Sequence, residues 1–148
     1  MGMPPRNEDF DWPLWRFEGN KRANARLATR NLITVSGNYE LSSADTFPPP
    51  AGSVVASCWQ LKIRKPKFSD YDRYCFELAT SSILNVYHNY KGYRTAVLVR
   101  LVKSLGAASI LLDSVLAEPG HSFTDPENGF RLQIASINNQ TARIQVSV

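Results

Sequence analysis

The run Cys58-Trp-Gln-Leu-Lys-Ile-Arg-Lys-Pro-Lys-Phe-Ser-Asp-Tyr-Asp72 constrains the fold more than any other segment. Trp59, Leu61 and Ile63 alternate with Gln60, Lys62 and Arg64, so a strand here buries one row and presents a cationic one. Pro66 ends that strand, because it has no amide to give to a ladder. Ser69, with Asp72 three residues on, has the form of a helix N-terminus. The expectation is a basic junction on a folded platform, with no catalytic signature in it.

The residues on either side set the expected architecture. Ile33, Val35, Tyr39 and Leu41 alternate with polar residues from Ile33 to Ser42, as in a half-buried strand. Phe47-Pro-Pro-Pro-Ala-Gly52 then interrupts regular structure as a stiff connector or a recognition motif. Phe76, Ala79, Ile83, Val86 and Tyr90 recur at three- and four-residue steps, which predicts a helix from Ser69 to about Tyr90 with Gly92 as its stop. Val97, Leu98, Leu101, Val102 and Leu105 predict a second helix over about Tyr93–Leu105. Ile110–Leu116 has the composition of a strand. Glu118–Gly129 reads as an exposed loop, rich in Pro119-Gly120, Asp125-Pro126 and Asn128-Gly129. Phe130, Leu132 and Ile134, then Ala142, Ile144, Val146 and Val148, alternate around Asn138-Asn139 and predict a terminal hairpin. The expected class is α+β: an antiparallel sheet with two consecutive helices on one face and a C-terminal β-hairpin.

At 148 residues and 43% hydrophobic content, the chain supports one core. The expected organisation is a flexible proline, aromatic and basic arm over 1–30 followed by a single domain over 31–148. Within the arm Trp12, Trp15 and Phe17 follow no sustained period. They anchor the arm on its own domain or meet a partner. The net charge of +4 is uneven: residues 51–110 hold nine Lys/Arg against three Asp/Glu, whereas 1–50 balance and 111–148 lean acidic. Such a middle suits a polyanion, either a phosphate backbone or an anionic lipid surface. Cys58 and Cys75 lack metal-ligand spacing and read as buried free thiols. No secretory leader or bilayer-spanning run is recognisable, and Asn139-Gln140-Thr141 is read as an accidental glycosylation sequence.

The candidate polyanion-binding residues are Lys62, Arg64, Lys65, Lys67, Arg94, Arg100 and Lys103, with Phe68, Tyr71 and Tyr74 close by for stacking on bases. Lysines on a strand also keep a sheet edge from pairing, so a solvated basic edge is the competing account. Catalysis would need His88 or His121 to meet Asp113, Glu118 or Asp125 in space. Nucleophile-elbow, phosphate-loop, dinucleotide and paired-histidine signatures are all missing. The chain is therefore expected to be no enzyme and to use no cofactor, metal or small-molecule substrate.

From Trp59 to Leu105 the order of a strand ending in basic residues, a Pro-Lys-Phe-Ser-Asp entry to a helix, and Lys91-Gly-Tyr-Arg94 opening a Val/Leu-rich helix resembles the matrix proteins of rhabdoviruses. Met3-Pro-Pro-Arg-Asn-Glu-Asp9 is similar to that family's charged, proline-rich arm. The chain departs from the family in having no Pro-Pro-x-Tyr or Pro-Thr-Ala-Pro motif and no lysine-rich run in the arm. The resemblance implies a compact structural matrix protein that self-assembles and bridges anionic membrane and nucleocapsid in virion assembly and budding. Its implied partners are an anionic membrane surface, viral ribonucleoprotein or RNA, and further copies of itself through Trp12, Trp15 and Phe17. Its implied location is the virion, the host cytoplasm and the inner face of host membranes. The alternatives are a small RNA-binding protein, either a silencing suppressor or a capsid-like subunit, and a bacterial or phage interaction module.

Overall fold

The computed structural model describes residues 8–10, 30–43, 51–80, 93–103, 108–112, 114 and 116–148. These build ten strands: β1 (Glu8–Phe10), β2 (Arg30–Ile33), β3 (Gly37–Ser42), β4 (Ala56–Gln60), β5 (Arg73–Ala79), β6 (Ala96–Val102), β7 (Ala108–Leu111), β8 (Ser122–Asp125), β9 (Phe130–Ile137) and β10 (Thr141–Ser147). One sheet has the order β1-β7-β6-β5-β4-β2 and the other β3-β10-β9-β8. Every pairing between these strands is antiparallel except that of β2 with β4, where Ile33 lies opposite Trp59.

This corrects the α+β expectation, because no helix of seven or more residues is present among the described residues. The segment read as the start of the first helix is β5, and most of the second is β6; residues 81–92 and 104–105 of those two segments lie outside the described ones. The physical reason is burial. Every residue of β6 is buried, as is every residue of β5 after Arg73. A strand covered on both faces loses its two-residue alternation, and its continuous apolar run then imitates a helical stripe. Val97, Val99 and Val102, with Tyr74 and Phe76, are strand-favouring residues that pack on a pleated surface.

The inner faces meet in one core. Ile33, Trp59, Tyr74, Phe76, Leu78, Val97, Val99 and Leu101 come from the larger sheet. Leu41, Phe130, Leu132, Ile134, Ala142, Ile144 and Val146 come from the smaller. Phe130 is the hinge pin of this contact, with ring centroids 4.7 Å from Trp59 and 5.5 Å from Phe76, the latter stacked in parallel. In β9 and β10 buried and exposed residues alternate, so the C-terminal hairpin forms with one face inward. The Asn138 side chain shapes its turn, accepting from the amides of Gln140 at 2.8 Å and Thr141 at 2.9 Å.

Two further expectations are revised. The strand read from Ile33 to Ser42 is two strands in different sheets, divided by a corner at 34–36. There the Tyr39 hydroxyl donates to the carbonyl of Val35 at 2.6 Å, and Ser36 Oγ accepts from the Val148 amide at 2.9 Å. The two cysteines are not free thiols: Cys58 and Cys75 stand directly opposite each other in β4 and β5 and form a disulfide. It lies on the far face of the larger sheet from the main core and packs with Val102. That same face holds Arg100, whose Nε donates to Glu77 Oε1 at 2.6 Å with both side chains buried.

Within the segment read as an arm, Glu8–Phe10 pairs with β7. Trp12, Trp15 and Phe17 lie outside the described residues.

Candidate functional site

The site is built where the loop from Leu61 to Asp72 crosses the turn between β8 and β9. Strand β4 ends at Gln60, earlier than the end at Pro66 that its alternation predicts, with Trp59 and Leu61 buried and Gln60 exposed. Ile63 departs from the pattern and is 53% exposed, because the chain has left the ladder and no longer obeys a two-residue period. Pro66–Phe68 forms a single 3-10 turn with the proline at its start, the position where a missing amide costs nothing. Arg64 Nη1 closes the loop by donating to the Ser69 carbonyl at 2.8 Å.

The opposing turn, Asp125-Pro-Glu-Asn-Gly129, is a second 3-10 turn over Pro126–Asn128 that ends with Gly129 at φ 67°. That angle lies in the left-handed region that glycine adopts without steric cost. Asp125 and Asn128 are each 3% exposed, which corrects the expectation of an exposed loop through Gly129. Asn128 behaves like an inserted length of strand. Its Oδ1 accepts from the amides of Lys62 at 2.8 Å and Ile63 at 2.7 Å, and its Nδ2 donates to the Ile63 carbonyl at 3.1 Å. One side chain thus satisfies three backbone groups of a loop that has no strand partner there.

Asp125 completes the clamp. Its Oδ2 accepts from the Tyr74 hydroxyl at 2.5 Å and from Asn128 Nδ2 at 2.9 Å, and it lies 2.9 Å from Lys65 Nζ. Burial alone would raise the Asp125 pKa, but hydrogen bonds from Tyr74, Lys65 and Asn128 and the lysine charge outweigh it and hold the carboxyl below its usual range. Burial pulls the Lys65 ammonium the other way, and Asp125 and Glu127 overcome this to raise its pKa. Burial and the bond to Asp125 together push the Tyr74 phenol far up, so it stays a donor. Lys65 is therefore committed to the fold. A groove of about 620 Å³ runs beside the clamp, with Phe68, Tyr74, Leu101, Leu112 and Phe123 among its walls.

The seven candidate cations are not brought together. Lys62, Arg64 and Lys67 are exposed at this end, and Lys103 joins them with its ammonium 5.1 Å over the Tyr71 ring, a cation–π distance. Lys65 is the partner of Asp125. Arg94 is exposed, but it precedes β6 at the opposite end of the sandwich, where Thr95 meets Asn139. Arg100 is 1% exposed and occupied by Glu77, so it cannot face a partner. The sequence marks Asp125 only as a candidate catalytic acid and does not single out Asn128, although an Asp-Pro-x-Asn-Gly run is the composition of a side-chain-capped turn.

Of the proposed acid–base groups among the described residues, His121 and Glu118 meet, with Nε2 3.8 Å from Oε2, while Asp125 stands apart from them. His121 Nδ1 accepts from the amides of Ala117 and Glu118 at 3.1 and 3.2 Å, at the other end of β8 from Asp125. His88 and Asp113 lie outside the described residues. No group of three His, Cys, Asp or Glu among the described residues is placed to hold a metal ion. No protein-family model, curated protein or solved structure matches the chain.

Proposed function

We propose that this chain is a binding module that docks on polyanionic surfaces through the basic end of its sandwich, and that it performs no chemistry of its own. The observation that carries this reading is the exposure of Lys62, Arg64 and Lys67 on a loop clamped by Asn128 and Asp125. A stiff loop holds its cations in place before the partner arrives, so less ordering entropy is lost on binding. Between 61 and 73 five basic residues face two acidic ones, and the one internal acid of the clamp consumes Lys65 alone.

The matrix-type expectation keeps its polyanion-docking half in this proposal. The two helices that carried the resemblance are strands where described, and the proposed self-association residues lie outside the described ones. The Cys58–Cys75 disulfide favours work in an oxidising compartment over the host cytoplasm, where thiols are held reduced.

The test is the triple variant Lys62→Glu/Arg64→Glu/Lys67→Glu, measured for thermal melting and for retention on heparin, RNA and anionic vesicles as salt is raised. The expected result is an unchanged melt with polyanion retention lost. A variant retained as strongly as wild type on all three would show that these cations only solvate the surface.

A further inference from the structure

Of the five large apolar side chains exposed among the described residues, Ile63 and Phe68 stand in the basic loop, and Val35 and Val148 at the corner at the same end. Ile63 is 53% exposed and Phe68 39% exposed, within the alternating run Lys62-Ile-Arg-Lys-Pro-Lys-Phe68, and Val35, 64% exposed, sits on the corner at the same end. Neither Ile63 nor Phe68 is left over from a collapsed loop. The two amides and the carbonyl around Ile63 are fixed by Asn128, and Phe68 closes a 3-10 turn with its ring edge-on to Tyr71 at 6.0 Å. The clamp therefore holds Ile63 and the partly exposed ring of Phe68 at the surface among three exposed cations.

We propose that this end is a membrane-docking tip, in which Ile63 and Phe68 enter the acyl boundary of an anionic bilayer while Lys62, Arg64, Lys67 and Lys103 lie at headgroup level. The inference rests on the polyanion-docking reading and names its partner. Charge complementarity selects a bilayer surface rich in anionic headgroups. The interleaved apolar residues select a surface whose charged layer and hydrocarbon lie within about 5–10 Å of each other. A nucleic acid would use the cations and could stack a base on Phe68, but it takes an isoleucine only as a wedge between base steps, a far smaller apolar surface than an acyl layer offers. Pro66 and the Asn128 clamp keep the tips from folding back, so their burial waits for the bilayer.

The experiment uses the full chain and sedimentation with vesicles of phosphatidylcholine alone and of phosphatidylcholine with phosphatidylserine, with RNA and heparin retention measured in parallel. Ile63→Ser/Phe68→Ser is expected to bind the phosphatidylserine vesicles roughly 25- to 100-fold more weakly, about five- to tenfold for each partly exposed apolar side chain, and to keep heparin retention. Ile63→Trp is expected to bind as wild type, with a blue-shifted emission that lipid-borne bromine quenches. Binding of the double serine variant at wild-type strength, or a tryptophan at position 63 that stays unquenched, would overturn the insertion while the polyanion reading stands. Salt-sensitive RNA binding with no vesicle binding by the wild type would overturn the membrane as partner. Wild-type behaviour of the charge-reversed triple variant would remove both.

Discussion

Asn128→Ala is the substitution that most directly probes how the basic loop is held. It removes four hydrogen bonds: those from the amides of Lys62 and Ile63, and those to the Ile63 carbonyl and to Asp125. At about 1 kcal/mol net for each bond, and with water able to reach part of the released loop, the loss comes to about 2–4 kcal/mol. For a chain of this length that corresponds to a fall in melting temperature of roughly 6–12 °C. The same change should speed hydrogen exchange at the Lys62 and Ile63 amides and weaken polyanion binding, although no charge has been removed. Denaturant melts, exchange mass spectrometry over 61–65 and heparin retention read the three effects on one sample. An alanine variant that melts within about 2 °C of wild type and exchanges those amides no faster would refute the clamp.

Asp125 sets an acid limb. Its folded pKa is depressed, so its contribution is present above the ordinary carboxyl value and is lost as pH falls below about 4; urea melts of Asp125→Asn should show a flatter acid limb from a lower plateau. Lys65 has a raised pKa, so its contribution holds below about pH 10.4 and fades above it, and Lys65→Met should remove that alkaline loss. Reducing Cys58–Cys75, or replacing both by serine, should cost about 3 kcal/mol for a closed loop of this size; two titratable thiols in unreduced, denatured protein from an oxidising host would refute the pairing. Glu77→Ala leaves the buried Arg100 guanidinium without its 2.6 Å partner and should cost about 3–5 kcal/mol. The double variant Glu77→Leu/Arg100→Leu should melt above that single one, and calorimetry of the pair decides it.

The sequence by itself determined those strands of this fold that keep one face in water. Strands β9 and β10 announce themselves because each has one wet face: Leu132, Ile134, Ile144 and Val146 are separated by residues that must stay in water. The same rule identified Trp59 as core and Gln60 as surface and marked Lys62 and Arg64 as presented cations, but it also put Ile63 inside, where the chain has already left the ladder. Alternation fell silent wherever both faces are covered. The heart of β5 and all of β6 carry an unbroken apolar run around Glu77 and Arg100, and a charged residue read locally as a solvent marker is in fact half of a buried pair. Only the register of the larger sheet places Arg100 beside Glu77, and only the β4–β5 pairing sets Cys58 across from Cys75. The clamp was decided in the same way. Asn128 and Ile63 are joined through residues 65 positions apart, and no local propensity can register a hydrogen bond that exists only after two sheets have packed.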